Sequence, residues 1–271
     1  MLMKKVWAVY FSATKTTEKV VCTIAGTLAW ELGIDWEARD FTLPAAREEA
    51  YQFQEDDLVV LGTPVYAGRV PNVLLPFLKT VRGDHTPAIP VVVYGNRNFD
   101  DALAELRDIL ENQGFLCGAA AAFVGEHAFS RTLAAGRPDG EDLEMARQFA
   151  GKAAEKIRKD QFEGHIEVPG RSPSPGYFQP QGPNGKPVDI RKVKPLVTDD
   201  CDNCGFCAKV CPMGSICADN VREYQGICIK CGACIKGCHK NARYYDDPGF
   251  LFHRNDLEQR LTRRAKIGVW L

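Results

Sequence analysis

The chain has 271 residues, 45% of them hydrophobic, 25% charged and 10% aromatic, and 34 basic against 35 acidic residues leave a formal net charge of −1. That composition is globular and excludes disorder, collagen and low complexity as whole-chain descriptions. It supplies no global field to recruit nucleic acid or an anionic membrane, and no apolar run approaches the ~20 residues of a membrane span. Val6-Trp7-Ala8-Val9-Tyr10-Phe11 follows Met1-Leu2-Met3-Lys4-Lys5 without a small-residue cleavage site. It reads as a buried strand rather than a signal peptide, and a cytoplasmic protein is expected.

Residues 1–162 alternate apolar runs with amphipathic stretches. Val6–Phe11 is a strand; Thr16–Leu32 has helical spacing through Val20, Ile24, Leu28 and Leu32. Ile34–Phe41 and Leu58–Gly62 are strands, Asn72–Val81 a helix and Ile89–Tyr94 a strand. Asp100–Gln113 is a helix with Leu103, Leu106, Ile109 and Leu110 as its apolar stripe, Phe115–Val124 a fifth strand and Glu141–Phe162 a last helix. Strands alternating with helices imply a doubly wound parallel sheet, here of five strands in the order 2-1-3-4-5.

Composition changes at residue 163. Seven of the 16 prolines lie between Glu163 and Thr198, and each removes a donor and fixes φ, so residues 163–198 cannot be helical. Tyr177, Phe178, Val188, Ile190 and Val193 give this segment side chains to bury. It is expected to be an extended arm on the first domain, partly paired as an edge strand. Residues 199–247 form a small second domain. Residues 248–271 are a tail with a helix over Asn255–Ala265 and a terminal strand or docked segment over 267–271. Arg260, Arg263, Arg264 and Lys266 in that tail read as a solvated face or a patch for an acidic partner.

Nine of the 11 cysteines fall between Cys201 and Cys238. Clustered cysteines in a chain that is neither short nor evidently secreted read as metal ligands. Cys201, Cys204, Cys207 and Cys211 form one C-x2-C-x2-C-x3-C run; Cys228, Cys231, Cys234 and Cys238 form another. This is the ferredoxin spacing, and its repetition implies two [4Fe-4S] clusters. Three thiolates at every third residue wrap one cluster, and the chain then turns away, so the fourth ligand comes from the other run. One cluster would use Cys201, Cys204, Cys207 and Cys238; the other Cys228, Cys231, Cys234 and Cys211. Zinc is the competing metal, but zinc sites use two Cys-x-x-Cys pairs rather than two triplets with an offset fourth cysteine. Cys22 and Cys117 lie on apolar faces and read as inert core thiols; Cys217 reads as a packing residue.

Three loops at the carboxyl ends of strands complete the pattern. Ser12-Ala13-Thr14-Lys15-Thr16-Thr17 opens a helix after the first strand, where converging N–H groups and the helix dipole favour a phosphate. Ser12, Thr14, Thr16 and Thr17 would add hydroxyl donors, although a Ser/Thr N-cap has the same composition. Pro64-Val65-Tyr66-Ala67-Gly68-Arg69 follows the third strand, and Gly95-Asn96-Arg97 with Phe99 follows the fourth. Each brings glycine for close backbone approach and an aromatic to stack on a flat ring, at the edge where doubly wound sheets bind ligands. His127 follows the fifth strand on the same rim, either as a surface histidine or as a proton donor.

Residues 1–162 resemble the flavodoxin family, whose T-x-T-G-x-T loop holds the phosphate of FMN while two further loops clasp its isoalloxazine. Ser12, Thr14 and Thr17 carry the match, with Lys15 where the family has glycine. Residues 199–247 resemble the bacterial two-cluster ferredoxins, with Cys238-His239 where the family's second run ends in Cys-Pro. Together they resemble flavodoxin–ferredoxin fusion proteins of anaerobic prokaryotes. The resemblance implies a flavodoxin-like α/β domain plus a small α+β ferredoxin domain, FMN and two [4Fe-4S] clusters as cofactors, and electron relay between redox partner proteins. Two alternatives stand beside it. One is a flavin-dependent reductase of a quinone, nitro compound or disulfide; the other is a non-redox zinc-binding interaction module.

Overall fold

A computed structural model of the chain describes residues 3–162, 164–183 and 185–271. Its main sheet contains strands β1 (Lys5–Tyr10), β2 (Asp35–Asp40), β3 (Asp57–Pro64), β4 (Thr86–Tyr94) and β5 (Ala120–Val124), all parallel, in the order β2-β1-β3-β4-β5. This is the 2-1-3-4-5 order of a flavodoxin-like fold. The sheet extends past five strands: β6 (Gly268–Trp270) pairs antiparallel to β5 through Val269 and Ala121. The expected fifth strand is broken. Phe115–Cys117 pairs with the start of β4 and β5 with its end, with Gly118 and Ala119 between them.

Both faces of the sheet are covered, which is why β4 is buried at every position and reads as one apolar run. On one face α1 (Thr16–Leu32) and α4 (Gly140–Arg158) bury Val20, Ile24, Leu28, Phe149 and Ile157 against Val6, Val60 and Val91. On the other, α2 (Leu75–Leu78) and α3 (Ala102–Glu111) bury Phe77, Leu78, Leu103, Leu106 and Leu110 against Val59, Leu61 and Val92. Each such leucine contributes about 1.5–3 kcal/mol. α1 stops at Gly33, whose φ of 69° lets its N–H return to Ala29 and Trp30 carbonyls. α4 starts with a capping box between Asp139 and Asp142.

The sequence reading of Asn72–Val81 as a helix holds only for its middle. A 3₁₀ turn over Asn72–Leu74 leads into the single turn α2, with Pro76 in its first turn, where no N–H is required. The tail helix α7 runs from Pro248 to Arg260, not from Asn255 to Ala265. Asp247 caps the Phe250 N–H, and Pro248 at the first helical position starts the helix rather than breaking it.

The arm lies on the α/β domain as expected, though the start at Glu163 is outside the described residues. Its described residues supply no edge strand to the main sheet. Gln181 and Pro187 bridge within the arm, Leu196–Val197 pairs with Arg243–Tyr244 of the cysteine-rich region, and the tail takes the sheet edge instead. Arg263 and Arg264 dock the tail on the α/β domain, while Arg260 pairs within its own helix. Arg264 pairs with Asp139 and Asp142, Arg263 donates to the Arg97 carbonyl, and Arg260 pairs with Asp256. Among the described residues, no helix is long and apolar enough to cross a membrane.

Candidate cofactor sites

The two cysteine runs fold alike. Each places a residue with positive φ directly before its second cysteine, Asn203 at 55° and Lys230 at 57°. A glycine follows that cysteine, Gly205 at 73° and Gly232 at 80°. Each glycine opens a single helical turn, α5 (Phe206–Lys209) and α6 (Ala233–Lys236), that carries the third cysteine. Beyond the fourth cysteine of each run the N–H four residues on donates to its sulfur: Ser215 to Cys211 and Ala242 to Cys238, both at 3.4 Å. Such left-handed turns aim backbone N–H groups at one point, the arrangement that suits a group rich in sulfur anions.

The runs also cross. Cys211 lines one cavity with Cys228, Cys231 and Cys234, closed by Ile216, Tyr224 and Tyr245. Cys238 is flanked by Gly237, packed on the Phe206 ring, and by His239, whose Nε2 lies 2.8 Å from Asp202 between Cys201 and Cys204. It therefore sits beside the first run. In the absence of metal, burial pushes the Cys231 thiol up to about 12 and raises that of Cys234. Loading this cage with metal must displace protons. Cys217 does not line the second cage, and its N–H donates to the Glu223 carbonyl. Burial raises the thiols of Cys22, to about 11, and of Cys117, as inert cysteines require.

The three strand-end loops are arranged less uniformly. In the 12–17 loop Lys15 adopts φ 66° and occupies the N-cap position of α1 without any side-chain cap. Ser12 Oγ accepts the Glu18 N–H at 3.0 Å, and Thr17 is buried against Gly62. Lys15 Nζ is paired with Glu18 at 2.6 Å, so it reaches an anion only by leaving that partner. At the end of β3, Thr63 is fully buried with its hydroxyl lacking a hydrogen-bond partner among the described residues. The following loop closes through reciprocal Tyr66–Arg69 backbone bonds, with Ala67 and Gly68 at positive φ. Arg69 itself is clamped by Glu105 of α3 and stacks on Tyr177.

Ala67, Gly68, Arg97 and Phe99 line an open cleft of about 540 Å³ whose other wall is the arm, at Arg171, Tyr177 and Phe178. The arm is held there by Phe178 N–H to the Ala67 carbonyl at 2.8 Å, Tyr177 Oη to the Val70 carbonyl at 2.9 Å, and Ser174 Oγ to Asp101 at 2.7 Å. Arg97 stacks on Phe178. Asn96 does not face this cleft. Its side chain donates to the Leu261 and Arg263 carbonyls and accepts from Ala265 N–H, fastening the tail. Gly95 lies so close to His127 that a Cβ would fall 2.5 Å from its ring. The arm's share of this site carried no motif; its one sequence signal was the apolar content of Tyr177 and Phe178 among prolines.

The α/β rim and the second cysteine cage meet. Lys236, two residues after Cys234, is paired with Glu126 and donates to the His127 carbonyl at 2.8 Å. Arg131 donates to the Ile235 carbonyl, and Arg47 to the carbonyl of Pro212, next to Cys211. Tyr66 is half-buried, and desolvation, then Cys231 and Cys228, raise its phenol well above the ordinary value. His127 keeps some accessible surface, yet burial, then Lys236, His253 and Arg97, push its imidazole down to about 3. It is a neutral ring at neutral pH, accepting from Phe129 N–H at 3.1 Å, and not a ready proton donor.

Residues 198–214 and 225–245 match the family described as "4Fe-4S binding domain". Among solved structures, a flavodoxin from the domain Archaea is 14% identical, covering 58% of this chain and 99% of its own, with a TM-score of 0.39. A Streptococcus pneumoniae TIGR4 flavodoxin is 21% identical over 56% and 99%, with a TM-score of 0.39. A Fusobacterium nucleatum flavodoxin bound to flavin mononucleotide is 17% identical over 58% and 99%, with a TM-score of 0.38. No curated protein matches the chain significantly. The chain thus joins a flavodoxin-like α/β fold, defined by its strand order, to an iron–sulfur domain of the 4Fe-4S ferredoxin type, a pairing whose general chemistry is electron transfer.

Proposed function

We propose that the protein relays electrons between FMN on the α/β rim and two [4Fe-4S] clusters, exchanging them with redox partner proteins. Cys201, Cys204, Cys207 and Cys238 would hold one cluster, and Cys228, Cys231, Cys234 and Cys211 the other. FMN would be held by the 12–17 loop at its phosphate and by the loops at Pro64–Arg69 and Gly95–Phe99 at its ring. Bound FMN supplies one- and two-electron chemistry, and each cubane one-electron chemistry. The donor sets suit these groups: thiols with backbone N–H groups aimed at sulfur, a helix start whose N-cap residue Lys15 supplies no side-chain cap, and a cleft walled by aromatics.

The observation that carries the reading is the junction. The second cage is seated on the α/β rim, where Gly232 packs on the Ala128 carbonyl, and is fastened by Lys236, Arg131 and Arg47. In the first run, Cys204 is exposed to solvent. The chain's own residues therefore order the sites. The second cage faces the flavin loops, and the first is the contact point for a partner. The low pKa of His127 and the tail bonds of Asn96 favour a carrier over a substrate reductase that needs a proton donor at the rim.

The test is anaerobic rapid mixing with a low-potential one-electron donor, following flavin bleaching. Cys231→Ser should slow flavin reduction at least tenfold while the first cluster's EPR signal survives. Equal rates in Cys231→Ser and wild type would overturn the relay.

A further inference from the structure

The fold repeats itself around the two cysteine runs, but one matched pair of positions differs sharply. Five residues beyond Cys211 stands Ile216; five beyond Cys238 stands Arg243. Both are buried, at 5% and 3% exposure. An aliphatic side chain therefore satisfies this position in one half, and the arginine in the other half is not demanded by the backbone. Burying a guanidinium is unfavourable unless it is paired. Among the described residues its neutral partners are Tyr224 Oη, at 2.8 Å, and the Val221 carbonyl. Both partners belong to the small apolar cluster that also holds Cys207 and Cys234, one cysteine from each run. A guanidinium keeps its proton throughout the accessible pH range, so the charge is permanent.

We propose that Arg243 is a fixed cation set between the two cluster sites to raise the reduction potential of both. It rests on the two-cluster reading above. Reduction of a cubane adds one electron and no proton, so each reduced site gains one negative charge. A buried cation beside it favours that state, because low local dielectric leaves the attraction unscreened. Bonded to Val221 and Tyr224 in the cluster that joins Cys207 to Cys234, one arginine biases both equilibria in the same direction. Its rigid stem along Val221 and Tyr224 keeps the charge from swinging out to water.

The experiment is an EPR-monitored redox titration of anaerobically purified full-length protein, with dithionite as reductant, comparing wild type, Arg243→Met and Arg243→Lys. Arg243→Met keeps the apolar stem and removes the charge. It should disfavour reduction of each cluster tenfold or more, which is a fall of about 59 mV for a one-electron couple. Arg243→Lys should fall between Arg243→Met and wild type. A Tyr224→Phe control removes the neutral partner alone and should leave both potentials near wild type. Wild-type potentials in Arg243→Met, or a shift in Tyr224→Phe as large as in Arg243→Met, would overturn the proposal. Loss of clusters from both arginine variants would make Arg243 a brace of the fold and overturn it equally. A wild-type protein that holds no iron would instead defeat the functional reading.

Discussion

Two glycines at matched positions allow the docking of the second cage to be tested against an internal control. Gly205 and Gly232 adopt nearly the same backbone, φ 73° and 80°. An alanine at either incurs the left-handed penalty of about 1–2 kcal/mol. Their surroundings differ. A Cβ at Gly205 meets nothing within 4 Å, whereas one at Gly232 falls 2.6 Å from the Ala128 backbone carbonyl on the α/β rim. To reach the ordinary contact distance of 3.4 Å, two backbones must part where Lys236 joins Glu126 and the His127 carbonyl. Such overpacking costs a further ~1–3 kcal/mol. Gly205→Ala should therefore lose about 1–2 kcal/mol, and Gly232→Ala about 2–5 kcal/mol. Anaerobic denaturant unfolding gives the totals, and hydrogen exchange gives the location. Amides of residues 126–131 should exchange faster in Gly232→Ala and at the wild-type rate in Gly205→Ala. Equal losses and equal exchange in both variants would refute the argument that the second cage is seated on the rim.

Lys15→Gly removes a lysine from φ 66° and an exposed pair with Glu18. Thermal unfolding should show a gain of about 1 kcal/mol, and FMN titration should show only a modest change in affinity. His127, whose imidazole is held near 3, binds protons less readily folded than unfolded, so its contribution is full above the unfolded pKa of about 6.5 and is lost as pH falls toward 3. Wild type should lose up to about 1.4 kcal/mol per pH unit relative to His127→Gln below about pH 6.5, with Lys236, His253 and Arg97 as the neighbouring charges; parallel pH curves would refute this. Asp142→Asn uncovers the buried Arg137 guanidinium and should cost about 3–5 kcal/mol in denaturant unfolding.

What the sequence made legible follows from how local each signal is. Parallel strands buried on both faces must be continuous apolar runs, so β1, β3 and β4 stand out, and α1 is bounded as its apolar spacing and Gly33 require. Where one residue type serves two purposes, the reading slipped. Pro248 and Pro76 occupy first turns, where a missing N–H costs nothing, and the tail helix begins at Pro248, before the expected Asn255. The edge strand could not be assigned from the arm alone, because edge pairing is a tertiary choice that the tail wins through Asn96, Arg137 and Arg264. The cysteine spacing singled out Cys211, Cys228, Cys231 and Cys234, which line one cavity. The arm's contact with the 67–70 loop did not show, since backbone bonds such as Phe178 N–H to Ala67 leave no periodic trace. Arg243 was passed over because its meaning lies in comparison with Ile216, visible only once the two runs are seen to share one backbone.

The central claim is most directly tested by quantifying iron, acid-labile sulfide, zinc and flavin in the anaerobically purified chain. The account predicts about eight iron and about eight sulfide per chain with one FMN. One or two zinc ions without sulfide, or cluster iron in a protein that neither retains nor takes up FMN, would contradict it.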